Sequence, residues 1–295
     1  MKNISKVIFG IFTLATLTAC GAKSNEASTE GQADQVSVEE AASEDKFKDA
    51  EVIKVGVVGE KNEPWEDVAK RYEEGTGKKI ELIKFSDYIE PNEALLSGDI
   101  DINSFQHKKY LEGFNEESGS NVVDIGDTVM APLGIYSTRL KSVEELDDGA
   151  RVAIPNDASN GARALFLLQS AGLIKVNGSE GDLITLDDVT DNPKNLEIIE
   201  LSADQTARSL DDTDAAVINS GMAVDAGFIP TEDSIYLEDH TDPTKNIYIN
   251  IIATAKENEN SEVLKDLVEN YYQVEETAKI IEESSKGSEI PAFEY

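Results

Sequence analysis

The sequence predicts an α/β protein of two lobes joined by two extended crossings. Three observations carry that expectation. From residue 51 onward, strand-like and helix-period segments alternate in β-α-β-α-β order, the pattern of a parallel sheet covered by helices. A second series of the same kind begins at residue 151. Two extended stretches, near residues 131–137 and 246–252, are placed to carry the chain from one lobe to the other and back.

The elements follow in order. Residues 51–59 form an apolar, Val-rich run ending in glycine, a buried strand. The segment 64–72 opens with Pro64, Glu66 and Asp67, proline near the first helical position and acids in the first turn. Alternation over 79–85 gives a second strand, and a short helix starts at Pro91 and stops at Gly98. Residues 100–105 read as a third strand and 107–117 as a helix. A long strand-like stretch, 121–137, is interrupted by Pro132. In the second series, 151–155, 196–201 and 215–219 are strands, while 160–171 and 204–210 are helical. Residues 247–255 are β-rich again, and helical patterns at 261–273 and 274–284 are expected to pack back on the first lobe. Lobe 1 is therefore assigned to 51–133 plus 248–295, and lobe 2 to 134–247.

The N-terminus is a separate object. Lys2 and Lys6 precede an uncharged, mostly apolar run over 7–19, too short for a spanning helix and laid out like an export signal. It ends in Leu17-Thr18-Ala19-Cys20, which resembles a bacterial lipobox. Residues 1–19 are thus expected to be a signal peptide and Cys20 the lipidated first residue of an exported lipoprotein, anchored to the cell membrane on its extracytoplasmic side. The alternative is a buried free cysteine behind an ordinary signal. Residues 20–50 are rich in Ser, Glu, Ala, Gln and Asp, a composition expected of a disordered tether.

Composition narrows the function. The chain has 295 residues, with 26 Lys and Arg against 59 Asp and Glu, a formal net charge of −33. Such a surface repels phosphates, which argues against nucleic-acid partners. The single cysteine excludes an intramolecular disulfide, and two separated histidines make a His-rich metal site improbable. No cofactor is implied. Gly75-Thr76-Gly77-Lys78-Lys79 lacks the phosphate-loop spacing, and 187–192 lacks the glycine and terminal Glu of a calcium loop. The acidic run 144–148 reads as a solvated helix face.

Ligands of open α/β sheets bind outside the carboxyl ends of the strands, and two facing lobes make a cleft there that closes by hinge motion. Four segments place polar or aromatic residues at such ends: 85–92, 98–107, 155–165, and the pair 216–219 with 247–252. Arg163, one of few arginines, is expected in the first turn of its helix, where a guanidinium suits a carboxylate; a surface ion pair is the alternative. Asn160 is a simple N-cap candidate. Asn219 and Asn250 lie in or at the end of apolar strand runs, where an amide is costly unless paired, whether to a ligand or within hinge strands.

These segments, in this order behind a lipobox, resemble the methionine-binding lipoproteins of ABC importers, the NlpA-type lipoproteins, over residues 52–290. The stretches Asn103-Ser104-Phe105-Gln106-His107 and Pro155-Asn156-Asp157, with Asn160 and Arg163-Ala164-Leu165, carry the likeness most specifically. The resemblance implies a type II periplasmic-binding-protein-like fold, each lobe a mainly parallel sheet flanked by helices, and no catalysis. It implies capture of methionine, L- and possibly D-, for an importer permease driven by a separate ATPase, by a protein that is monomeric by default. Arg163 and Asn160 would then hold the carboxylate, and Asn219 and Asn250 would face the amino-acid head group. Tyr88, Phe105 and His107 would wall the side-chain pocket, where sulfur pairs well with aromatic rings. Tyr110 either caps that pocket or packs its helix; Phe105 as core and His107 as a helix-start residue are the plainer readings. The chain departs from the family at Ser220-Gly221-Met222-Ala223 and at Gly59-Glu60-Lys61-Asn62-Glu63-Pro64-Trp65, and Trp65 is expected in the core. Another small amino acid or a methionine-containing dipeptide remains the alternative ligand. An exported enzyme on the same scaffold, which would need a titratable pair in the cleft, or a surface interaction lipoprotein, are the alternatives of other classes.

Overall fold

The computed structural model describes residues 45–295, so the signal, Cys20 and most of the expected tether lie outside the described residues. In chain order the first elements are β1 (Val52–Val58), α1 (Glu63–Thr76), β2 (Lys79–Phe85), α2 (Glu90–Ser97), β3 (Ile102–His107), α3 (Lys108–Ser118) and β4 (Val122–Met130). The chain crosses into β5 (Gly134–Tyr136), β6 (Arg151–Pro155), α4 (Ala158–Ser170), β7 (Lys175–Val176), β8 (Val189–Asp191), β9 (Glu197–Leu201) and α5 (Ala203–Thr206). There follow β10 (Ala215–Ile218), α6 (Ser220–Asp225), α7 (Pro230–Asp233) and β11 (Ser234–Leu237). It returns through β12 (Ile249–Ala255), α8 (Glu262–Leu267), α9 (Glu275–Ser284) and β13 (Ile290–Pro291).

Two sheets organise these elements. One has six strands in the order β13-β4-β12-β3-β1-β2, the other five in the order β11-β5-β10-β6-β9. Each is mixed rather than mainly parallel. β1 pairs parallel with β2 and β3, but β12 runs antiparallel to β3 and β4. In the second sheet β6 is parallel to β9 and β10, while β5 runs antiparallel to β10 and β11. The reversed strands lie beside the two crossings: a chain that leaves a lobe and re-enters it must run against the β-α-β direction.

Separate apolar cores hold the two sheets. Ile53, Val55, Val57 and Ile102 pack with Trp65, Val68 and Tyr72 of α1 and with Leu264, Leu267 and Tyr272 near the C-terminus. Thus the final helices do return to the six-stranded side. In the other lobe, Val152, Ile154 and Val217 pack against α4, whose residues Ser159–Leu168 are all buried. A helix covered on every side is a core helix rather than an amphipathic surface one, so its polar residues need partners.

Residues 45–50, expected as the end of the tether, are instead ordered. Phe47 is 2% exposed within the first core, and the Asp45 carboxylate accepts from Ser261 Oγ at 2.9 Å and from the Val263 amide at 3.2 Å. Lys78 Nζ donates to the carbonyls of Phe47, Lys48 and Ala50. The composition of 20–50 is polar, but one phenylalanine with two polar clamps is enough to dock its last residues.

Candidate functional site

The carboxyl ends of β1, β3 and β10 and the first turns of α4 face a cavity of about 160 Å³ bounded by both lobes. That volume holds on the order of ten water-sized groups, the scale of one amino acid. All eight residues singled out from the sequence, namely Tyr88, Phe105, His107, Tyr110, Asn160, Arg163, Asn219 and Asn250, line it. So do Trp65, Ser220 and Glu289. Trp65 belongs to the core, as expected, yet also reaches the cavity, and its buried Nε1 has no hydrogen-bond partner among the described residues.

Arg163 differs from its expected setting. α4 starts at Ala158 with Asp157 as N-cap, two residues earlier than the sequence suggests, so Arg163 stands in the second turn rather than the first. Its guanidinium is 2% exposed and lies 4.2 Å from the ring centre of Tyr248. Nε donates to Oε1 of Glu238 at 3.1 Å, and Nη2 donates to Oε2 of Glu238 and, at 3.0 Å, to the carbonyl of Ala131. The two-pronged edge expected for a ligand is therefore taken by Glu238, and only Nη1 makes no hydrogen bond among the described residues. Glu238 also accepts from the Leu133 amide at 3.0 Å and lies 3.4 Å from Lys245 Nζ. Burial opposes its charge, but Arg163, the Leu133 amide and Lys245 together hold its carboxyl below the usual value. Lys245 in turn pairs with Glu180 at 2.6 Å, which accepts from the Tyr248 hydroxyl at 2.8 Å. These charges compensate each other and lock the cation in place beside the crossings.

A second chain of bonds sets the amides. Asp157 accepts from the Asn160 backbone amide at 2.9 Å and from Asn160 Nδ2 at 3.0 Å. Asn160 is thus not the N-cap; the acid three residues earlier takes that role and orients the Asn160 side chain. With Nδ2 committed, Oδ1 of Asn160 turns to accept from Asn219 Nδ2 at 2.8 Å and to meet His107 Nε2 at 3.3 Å. His107 Nδ1 accepts from the Tyr110 amide at 3.0 Å, capping α3, so the neutral ring carries its proton on Nε2. Burial, and then Arg163, push the imidazole down to about 3. Asn219 is left with a buried Oδ1 that has no partner among the described residues.

Three rings close one wall. Phe105 stands 5.8 Å from Tyr88 and 5.8 Å from Tyr110, within ordinary aromatic contact distance. The Tyr110 hydroxyl donates to the Tyr88 carbonyl at 2.7 Å, so it braces the wall as well as packing its helix. Behind it, Asn92, Asn103 and Gln106 exchange hydrogen bonds of 2.8–3.0 Å that stiffen β3, the strand carrying Phe105 and His107.

The lobes meet around the cavity. His107 touches Asn160 across it, and Ser220 Oγ lies 3.4 Å from Glu289 Oε1. At the mouth, the Asp225 carboxylate accepts from the backbone amides of Glu60 and Lys61 at 3.1–3.3 Å, and Lys61 Nζ donates to the Val224 carbonyl at 2.8 Å. The sequence reading missed Glu238, Asp225 and Glu289, and it quoted Asp157 in a motif without giving it a role. An alternating apolar-acid signal marks none of them, since acids are abundant throughout this chain; only the two stretches noted as unusual, at 59–65 and 220–223, pointed near Asp225 and Glu289.

Comparison with known proteins places the chain among binding lipoproteins. A family model described as NlpA lipoprotein matches residues 53–293. The D-methionine-binding lipoprotein MetQ of Escherichia coli (strain K12) is 45% identical over 227 residues, covering 76% of this chain and 82% of that protein. A solved nutrient binding protein from Burkholderia cenocepacia, bound to methionine, is 43% identical with a TM-score of 0.77, covering 82% of this chain and 100% of that one. The substrate binding protein of a methionine transporter from Streptococcus pneumoniae is 35% identical with a TM-score of 0.77, covering 82% of this chain and 96% of that one.

Proposed function

The chain belongs to the NlpA lipoprotein family, and from that premise we propose that it is the methionine-binding lipoprotein of an ABC importer. The observation that carries the reading is the cavity itself. It has the size of one amino acid, a locked guanidinium with a free Nη1 at one place, a partnerless amide oxygen at Asn219, and a wall of three aromatic rings. The carboxylate of methionine takes Arg163 Nη1, with the amides of Asn219 and Asn250 around the head group. Its thioether lies against Tyr88, Phe105 and Tyr110, where each sulfur–ring contact contributes about 0.3–1.5 kcal/mol.

The same bonds support binding rather than catalysis. The one histidine in the cavity has both ring nitrogens engaged and is held neutral, so it has no lone pair to offer a substrate proton. Residues 51–133 with 248–295, and residues 134–247, act as the two lobes, closing by motion about the crossings. The signal over 1–19 directs export, lipid on Cys20 anchors the protein at the outer face of the cell membrane, and the tether over 20–44 lets it reach the permease. A separate ATPase supplies the energy of transport.

Mass spectrometry of small molecules released when the purified protein is denatured tests this reading. Methionine in the released fraction is expected; a different amino acid or a dipeptide would reassign the ligand, and an unrelated compound would overturn the reading.

A further inference from the structure

Two acids line the cavity: Asp225 is bonded to the Glu60 and Lys61 amides at its mouth, and Glu289 is left unused by recognition through Arg163 and the asparagines. Glu289 sits between α9 and β13 and lines the same space as Arg163 and Asn219. Its Oε1 meets only the Ser220 hydroxyl, at 3.4 Å, and its Oε2 makes no hydrogen bond among the described residues. The two cations that line the cavity are engaged elsewhere among the described residues: Arg163 pairs with Glu238, and Lys61 Nζ donates to the Val224 carbonyl at 2.8 Å. Burial raises its carboxyl above the usual value; the Ser220 hydroxyl opposes this, and nearby Glu63 adds a smaller rise. Glu289 is a partly buried acid in the cavity wall, with no cation and one long hydrogen bond, so its oxygens are left to meet whatever the cavity holds.

The unmet groups around the cavity form a set. Nη1 of Arg163 wants an acceptor, whereas Oδ1 of Asn219 and the carboxyl of Glu289 want donors. An anion alone satisfies the first and leaves the other two without donors. A zwitterion satisfies all three, because an ammonium has three donors to distribute. We propose that Glu289 receives the cationic nitrogen of the ligand and so selects for ligands that carry both a carboxylate and an ammonium. Ser220, from the opposite lobe, positions this carboxyl only when the cleft is closed, which ties recognition of the ammonium to closure. The inference rests on the amino-acid-binding reading above and adds the residue that enforces the amino group.

Calorimetric titration of wild type, Glu289→Gln and Glu289→Asp with methionine and with its des-amino analogue, the methylthio-butanoate, tests it. Wild type should bind methionine far more tightly than the analogue. In Glu289→Gln the affinity for methionine should fall about tenfold or more, while the analogue binds as well as before or better. Glu289→Asp, which keeps a carboxyl, should retain part of the preference. Equal losses for both ligands would show a structural role and overturn the proposal, as would an unchanged methionine affinity. Wild type that takes up no methionine would overturn the underlying reading, and the inference with it.

Discussion

A β-carbon on Gly59 would stand 2.0 Å from Oδ2 of Asp225, so the carboxylate that joins the two lobes at the cavity mouth tolerates only glycine opposite it. Gly59 also has φ +86°, a conformation that L side chains rarely adopt. The turn it makes points the amides of Glu60 and Lys61 at Asp225.

This joint holds the cleft shut without needing the ligand head group. Asp225→Ala should therefore lower the population of the closed form and weaken methionine binding, by several-fold to about tenfold for the loss of two or three net hydrogen bonds. The loss should appear in the dissociation rate, with association little changed. Stopped-flow kinetics checks the split; a slowed association with unchanged dissociation would count against a latch.

Glu238 is the counter-charge that keeps Arg163 buried. Glu238→Ala leaves both Arg163 and Lys245 facing a dry interior without their shared acid, and should cost about 3–5 kcal/mol of stability. Urea denaturation should register this as a lower midpoint with an unchanged slope.

His107 gives the stability a pH dependence of known sign. Its imidazole is pushed down to about 3, below an unfolded value of about 6.5. Between those values the unfolded chain binds a proton that the folded chain refuses, so this residue makes stability fall as the pH drops, by up to about 1.4 kcal/mol per unit. Glu289, raised instead, acts oppositely: the folded chain keeps a proton the unfolded chain has released, and stability falls as the pH rises past the ordinary carboxylate value. His107→Gln should flatten the loss between about pH 6.5 and 4, read from denaturation midpoints across that range. An acid limb as steep as in wild type would rule out His107 as its source.

Much of the fold was legible because period and punctuation agree in it. Pro64 and Pro91 fall in the first turns of α1 and α2, and Gly77, Gly98 and Gly119 end helices in the left-handed region. Strand direction was less legible, since β5 and β12 look like any apolar strand, and only pairing reveals that they run against their neighbours. Of the site, the eight residues carried by local motifs converge on one cavity. What escaped is long-range charge pairing. Glu238 is 75 residues from Arg163, and Glu289 is 69 from Ser220, and nothing local separates these two acids from the other 57 Asp and Glu residues among 59.

The most direct test of the account is calorimetric titration of methionine into protein freed of ligand by unfolding and refolding, for wild type and for Arg163→Lys. Lysine keeps a cation for Glu238 but lacks the second amino group that is offered to the ligand. One saturable site in wild type, weakened at least about tenfold in Arg163→Lys, is the result expected. No heat from refolded wild type, or equal affinity in the two proteins, would contradict it.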